Sequence, residues 1–280
     1  MTSILQSNAA PKPAAPGVLE RLGGLFDRVR GHSEEALSYL GGLTDLAVQT
    51  IQQFVRGPID RAIVIAQFDQ IGVRSISIVA ITSLFIGMVL ALQTAYSLSD
   101  FGGSLFIGKV VSLSLIRELA PVLMALMVGV RVGAGIAAEL GTMKVTEQID
   151  ALRALATNPV RKLVVPRVLA TTVMMPLLTL LACFIGIIGG LIIAVGSLHL
   201  SSNFYIRSVI ETVKYNDLAS GIGKTFFFGF AIGLIACFNG LSTTGGADGV
   251  GRSTTATVVT ASITVLIMDF FLTKLFLFLL

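Results

Sequence analysis

The sequence predicts an all-α integral membrane protein with an N-terminal amphipathic helix in the membrane interface and five transmembrane helices. Of its 280 residues, 54% are hydrophobic and 13% are charged, and the mean hydropathy is +0.87. A soluble domain of this length needs more charge to cover its surface, so the excess apolar surface must face lipid. The alternation typical of a membrane β-barrel is absent, which leaves helices.

Five long apolar segments supply the transmembrane helices. Each exceeds the roughly 20 residues that a helix needs to cross the hydrocarbon layer. The predicted segments are 73–98, 110–140, 163–198, 218–241 and 255–280. Together they form a membrane domain that we place at residues 63–280.

The region before these segments has a different character. Apolar residues recur at steps of three and four over residues 17–62, and arginines flank them, so we expect an amphipathic helix in the interface of an anionic leaflet. Residues 1–16 carry three prolines and no apolar core of a secretory signal. We expect them to form a disordered cytoplasmic tail.

Lysine and arginine counts predict the orientation. The segment before the first crossing is rich in arginine, and the loop 141–163 holds four basic residues, whereas residues 99–109 hold almost none. Because basic residues favour the cytoplasmic side, the N-terminus and the 141–163 loop should be cytoplasmic. Five crossings then place the C-terminus in the periplasm.

Charges inside membrane segments are expensive and need a reason. Arg117 and Glu118 are adjacent, so on a helix their side chains point about 100° apart. They should therefore line a polar cavity or meet partners on another helix. A role on a substrate path and a structural role between helices both remain open.

Four further charged residues of the membrane segments point less clearly to a function. Arg131 and Glu139 lie near the expected interface, where long side chains can extend to water. Asp269 and Lys274 are five residues apart, a poor helical pairing, so each should meet another segment or the interface.

Several kinds of chemistry are excluded. The two cysteines and two histidines lack metal-ligand spacing, so we expect no metal site and no cofactor. Residues 223–225 spell the end of a Walker A loop, but Leu218 occupies the position of its first glycine. The net charge is +4, and the basic residues cluster near the start of the chain and in the 141–163 loop, which indicates membrane topology and not nucleic-acid binding.

The cytoplasmic loop should contain a short helix at about 144–156. Thr146 can cap it, and Glu147 and Asp150 suit its positive N-terminal end. Such a helix can simply cover the surface, or it can dock in a groove on a soluble partner.

Two runs of sequence add a resemblance to these inferences. Residues 117–122 read RELAPV and residues 138–152 read AELGTMKVTEQIDAL. These runs, together with shorter stretches up to 251–259, resemble the MlaE-type (YrbE-like) permease family. Its members are the membrane subunits of ABC transporters that work with MCE-domain lipid-binding proteins.

This resemblance implies a function. The chain would be a permease in the bacterial inner membrane that passes phospholipid or a related lipid to or from a periplasmic MCE-domain partner. It would not be an enzyme itself, because a separate ABC ATPase would hydrolyse ATP. A second copy of the chain and a small STAS-domain accessory protein are further implied partners.

The resemblance also implies which residues carry this function. The 144–156 helix would couple to the ATPase through Glu147, Gln148, Ile149, Asp150 and Leu152. The lipid cavity would draw on Gln93, Tyr96, Arg117 and Glu118.

Two alternatives compete with this interpretation. An ion-coupled secondary transporter would find support in Asp269, but the chain shows no convincing internal repeat. A non-transporting scaffold would explain the loop and the amphipathic N-terminus, but it would leave Arg117 and Glu118 as packing residues.

Overall fold

The computed structural model describes residues 18–56, 60–98 and 106–279. Every regular element in those ranges is helical. The expected tail at residues 1–16 and most of the 99–109 connection lie outside them. The chain divides into two compact units, residues 1–44 and 45–280.

Helix α1, Val18–Val55, falls within the region predicted to be amphipathic. In the first unit, Leu37 and Leu40 are exposed apolar side chains. In the second unit, Leu46 and Thr50 are buried, and Thr50 donates its hydroxyl to the Leu46 carbonyl at 2.6 Å. A position of this helix in the membrane interface stays a prediction.

The five predicted crossings are present as helices long and apolar enough to span a membrane. We refer to them as the first to fifth spans: Arg61–Ser97, Ile107–Val145, Val160–Gly196, Tyr215–Leu241 and Gly246–Leu279. The first and fifth begin earlier than predicted. Gln67 and Asp69 lower the hydropathy of the first turns of the first span. Small and polar residues up to Thr254 lower the hydropathy at the start of the fifth span.

Three of the spans are not uniform α-helices. The first joins α2 (Arg61–Ile71) to α3 (Ile76–Ser97) through a 3₁₀ turn, Val73–Ser75. The second consists of α4, α5 and α6, and the third of a π turn followed by α8. Their bounds are α4 Ile107–Ser114, α5 Ala120–Val128, α6 Ala134–Val145 and α8 Val165–Gly196.

Two π turns, Leu115–Leu119 and Gly129–Gly133, interrupt the second span. Pro121 follows the first of them within the opening turn of α5, where its missing N–H costs least. Each π turn adds a residue to the helical turn and so rotates the side chains that follow. The turns hold Arg117, Glu118 and Arg131, three charged residues of this span.

The remaining helices complete the bundle. Between α6 and α8 lies the short α7, Gln148–Ala154, and α9, Ser202–Thr212, connects the third and fourth spans. The fourth span is α10 and the fifth is α11. On α9, Tyr205 is buried and donates to the Ile187 carbonyl at 3.2 Å, and burial raises its pKa to about 12.

Glycine allows the closest helix contacts. A Cβ added at Gly87 of α3 would overlap the carbonyl of Gly186 on α8. A Cβ at Gly229 of α10 would likewise overlap the carbonyl of Thr171 on α8, and one at Gly233 would overlap the Thr171 hydroxyl. In lipid, where no hydrophobic effect drives helices together, this close approach of backbones supplies packing energy.

Candidate functional site

A cluster of charged side chains lies where the first π turn meets α10 and α11. At its centre is Lys224 of α10, whose side chain is 2% exposed. Its Nζ lies 2.9 Å from Glu118 Oε2 and 3.2 Å from Asp269 Oδ1, and it donates to Thr273 Oγ1 at 2.7 Å. All three ammonium protons therefore have a partner.

A second ion pair joins this cluster. Arg117 Nε donates to Asp217 Oδ1 at 2.8 Å. The other carboxylate oxygen of Asp217 accepts the backbone N–H of Lys214 at 3.0 Å and so closes the first turn of α10. Asp217 is thereby fixed by its own helix before it meets the second span.

The two pairs share one arrangement. Arg117 is 48% exposed and is backed by Asp217, which is 6% exposed. Glu118 is 43% exposed and is backed by Lys224, which is 2% exposed. Each accessible charge thus rests on a buried charge of opposite sign, which lowers the energetic penalty of keeping it in a membrane span.

Both accessible groups face a cavity of about 270 Å³. Other residues of α10 and α11, among them Asn216, Ser220 and Phe276, complete its lining. The cavity lies near the start of α10, on the side of the membrane that the lysine and arginine counts predict to be periplasmic. A group with both a negative and a positive atom could pair there with Arg117 and Glu118 together.

Comparison with known proteins identifies the family of this chain. A family model described as Permease MlaE matches residues 64–275. The chain belongs to the MlaE permease family. It is therefore a permease of the ABC transporter type, and the family expected from residues 117–152 is confirmed.

Curated relatives agree with this assignment. The chain is 43% identical over 237 residues to a probable ABC transporter permease protein of Rickettsia felis, covering 85% of this chain and 92% of that one. It is 39% identical over 212 residues to the intermembrane phospholipid transport system permease protein MlaE of Haemophilus influenzae, covering 75% and 81%. It is 35% identical over 231 residues to the chloroplastic TRIGALACTOSYLDIACYLGLYCEROL 1 protein of Arabidopsis thaliana, covering 82% and 66%.

The four residues suggested for a lipid cavity do not line a single cavity in this MlaE-family chain. Arg117 and Glu118 share the charged cavity. Gln93 lines a separate, mostly apolar cavity of about 290 Å³ with Phe85 and Leu119. Tyr96, at the end of α3, is 86% exposed.

Sequence reasoning missed Asp217 and Lys224. Lys224 drew attention only as part of a false Walker A match, although a lysine inside an apolar segment was itself a signal. Asp269 does meet another segment, as expected, and its partner is this lysine.

Glu139 differs from its prediction. Instead of simply extending to water, it accepts a hydrogen bond from Arg167 Nη2 at 2.7 Å, and the Arg167 side chain is 6% exposed. Arg167 Nη1 also donates to the Leu163 carbonyl at 2.8 Å. The buried guanidinium requires the carboxylate, so this is an ion pair between the second and third spans.

The loop helix forms, but Thr146 does not cap it. Thr146 continues α6, since its N–H and its hydroxyl both bond to the Thr142 carbonyl, at 3.0 and 2.8 Å. Glu147 precedes α7 with φ 60°, and this left-handed residue turns the chain between the two helices.

The five suggested coupling residues divide by exposure. Glu147, Gln148 and Asp150 are exposed, Leu152 is half-buried, and Ile149 is completely buried. Ile149 therefore anchors α7 within this chain and does not present a surface to a partner. Leu155 and, to a lesser extent, Val145 are exposed apolar side chains near these polar groups.

Asp150 is held by two cations of the same loop. Its carboxylate lies 3.0 Å from Lys144 Nζ and 3.0 Å from Arg153 Nη1. The hydrogen bond from Lys144, helped by the positive charge of Arg153, holds the pKa of Asp150 below its usual value. Asp150 thus stays ionised at neutral pH and keeps the start of α7 near the end of α6.

Proposed function

We propose that this permease moves phospholipid or a related lipid between the bacterial inner membrane and a periplasmic MCE-domain protein. A separate ABC ATPase drives this movement from the cytoplasmic loop. By analogy with the family, the working unit contains two copies of the chain and can include a small STAS-domain protein.

The observation that carries the proposal is the pairing of accessible with buried charges at the cavity. A phospholipid head has a phosphate and, in many lipids, an amine. The Arg117 guanidinium suits the phosphate because it offers several N–H donors in one plane, and Glu118 suits an amine. Asp217 and Lys224 keep these groups in place when no lipid is bound.

We infer that the apolar tails of the lipid follow a different, apolar cavity. The cavity of Gln93 and Phe85 is lined almost entirely by apolar side chains and includes Leu119, the neighbour of Glu118. A head at Arg117 and tails toward α3 would use all the sequence-suggested positions except Tyr96, whose exposed ring stays a candidate for contact with a lipid or a partner.

The loop helix suits an ATPase partner. Its exposed surface combines Glu147, Gln148 and Asp150 with Leu155, while Ile149 joins it rigidly to the bundle. The second span then runs from Val145 back to Glu118, a distance of about 40 Å at 1.5 Å per residue. Movement of the loop can therefore reach the cavity along this continuous helical span, whose segments α6 and α5 are joined by the π turn Gly129–Gly133.

The test is reconstitution of the chain with its ATPase and MCE-domain partners. We would compare the wild type with Glu147→Lys combined with Asp150→Lys, and measure ATPase retention, ATP hydrolysis and transfer of a fluorescent phospholipid. We expect the double variant to release the ATPase or to uncouple hydrolysis from lipid transfer.

Lys144→Gln is the matched control. It removes one ion pair inside the loop but leaves the exposed acidic groups, so the ATPase should stay bound. If the double variant behaves as the wild type does, the loop is not the coupling site. If lipid moves with an ion gradient and no ATPase, the ion-coupled alternative replaces the proposal.

A further inference from the structure

A second polar cavity lies between the first and second spans. Its volume is about 190 Å³, and its polar lining consists of two glutamines and two arginines: Gln67, Gln70, Arg74 and Arg131. No carboxylate among the described residues lines it. This composition differs from the first cavity, where charges of both signs alternate.

Arg131 lacks the buried counter-charge that the other central charges of the second span have. Its Nη1 donates to the Ser75 hydroxyl at 2.6 Å, and its remaining donors bond to no carboxylate in the described part of the chain. The nearby Arg74 pairs with Asp69 at 3.3 Å, and both side chains are largely exposed. The cavity therefore keeps positive charge that no buried acid cancels.

The depth of Arg131 suits a lipid head. The second span has 39 residues, which corresponds to a length of about 58 Å and exceeds the hydrocarbon layer by about 28 Å. Arg131 lies 14 residues before Val145, so about 21 Å from that end. With the excess shared equally, it lies about 7 Å inside the hydrocarbon boundary, within reach of the headgroups for an arginine side chain.

We propose that this cavity binds the headgroup of an anionic phospholipid from the cytoplasmic leaflet. Arg131 donates to two phosphate oxygens, and the amide of the buried Gln67 adds a neutral donor. Basic pockets between transmembrane helices on the cytoplasmic side are suited to such heads. The leaflet follows from the charge-based orientation, and the binding itself does not depend on the proposed transport.

Gly135 offers a way to close the cavity without removing a charge. A Cβ added there meets no heavy atom within 4 Å, so Gly135→Leu places a side chain in the open space. The matched control is Gly196→Leu, since a Cβ at Gly196 also meets nothing within that distance. Ser75→Ala removes the hydroxyl partner of Arg131 but keeps its charge.

The experiment is native mass spectrometry of the full chain with phosphatidylglycerol or phosphatidylcholine, without ATPase or MCE-domain protein. We expect the wild type to retain one phosphatidylglycerol. In Arg131→Gln and in Gly135→Leu this lipid should be lost, because its affinity falls roughly tenfold or more. Gly196→Leu and Ser75→Ala should retain it. Failure of lipid transfer in the reconstituted transporter would leave this result unaffected.

Three outcomes would overturn the proposal. Unchanged retention in both Arg131→Gln and Gly135→Leu would show that Arg131 only extends to the interface. Equal retention of phosphatidylglycerol and phosphatidylcholine would exclude an anionic-lipid site. Complete displacement of the lipid by millimolar inorganic phosphate would identify a free-anion site instead.

Discussion

Replacing Lys224 by methionine tests the charge cluster most directly. Methionine has a side chain of similar length but no ammonium group. The change therefore removes the ammonium that contacts Glu118, Asp269 and Thr273 within 3.2 Å. Two carboxylates are then left facing each other without a cation. Breaking a buried pair in this way costs about 3–5 kcal/mol, because the remaining charge is uncompensated.

The exposure of the two carboxylates decides how much stability the loss of Lys224 costs within that range. Asp269 is 20% exposed and should carry most of the penalty, whereas Glu118 is 43% exposed and should behave more like a surface partner. We therefore expect Lys224→Met to lower the free energy of unfolding by about 3 kcal/mol. Equilibrium unfolding in mixed micelles would measure it.

A second substitution separates charge from packing. In Lys224→Met combined with Asp269→Asn, the stranded carboxylate is removed, so the double variant should recover much of the lost stability. The single change Asp269→Asn provides the reference for the coupling energy. A loss below about 1 kcal/mol in Lys224→Met, or additive effects in the double variant, would refute the buried-pair explanation.

Three further predictions address lipid transfer, packing and pH. Arg117→Lys keeps an ion pair with the buried Asp217 but loses the planar fork of donors. Transfer of a fluorescent phospholipid should therefore fall roughly 3- to 10-fold, while ATPase binding is unchanged. Unchanged transfer would show that Arg117 is not part of the headgroup site. Gly87→Ala places a Cβ against a backbone carbonyl and should destabilise the bundle by about 1–3 kcal/mol in the same unfolding assay, whereas Gly135→Ala, which points into open space, should not. The pKa of Asp150 is lowered in the folded chain, so its ion pairs stabilise the loop above its ordinary pKa of 3.8 and are lost only as pH falls through the lowered value. ATPase retention should therefore be constant over roughly pH 5 to 8. In Lys144→Gln, the titration of the Asp150 carboxyl, followed by NMR, should move to higher pH. An unchanged titration would show that Lys144 does not lower the pKa of Asp150.

Hydropathy was enough to predict the five spans, because each apolar run exceeds the length that a bilayer requires. It failed at the starts of the first and fifth spans. There the helices continue through Gln67, Asp69 and Arg252, residues that a membrane pattern excludes but that a helix accepts outside the hydrocarbon layer.

The partners of the membrane charges could not be predicted from sequence. Lys224 is 106 residues from Glu118 and 45 from Asp269, so their contact depends on how three helices are rotated. The π turn at Leu115–Leu119 adds one residue, about 100° of rotation, immediately around Glu118. Nothing in the pattern of apolar residues indicates such an insertion.

The second span then shows one rule and one departure from it. Arg117, Glu118 and Glu139 are each partly exposed, and each rests on a buried side chain of opposite charge. Arg131, also held by a π turn, rests on a hydroxyl. Three balanced charges can remain in place without a ligand, whereas the fourth gains from an anion supplied from outside the chain. We therefore expect occupancy of its cavity to follow the anionic lipid content of the membrane, while the cavity of Arg117 and Glu118 keeps its geometry in any lipid.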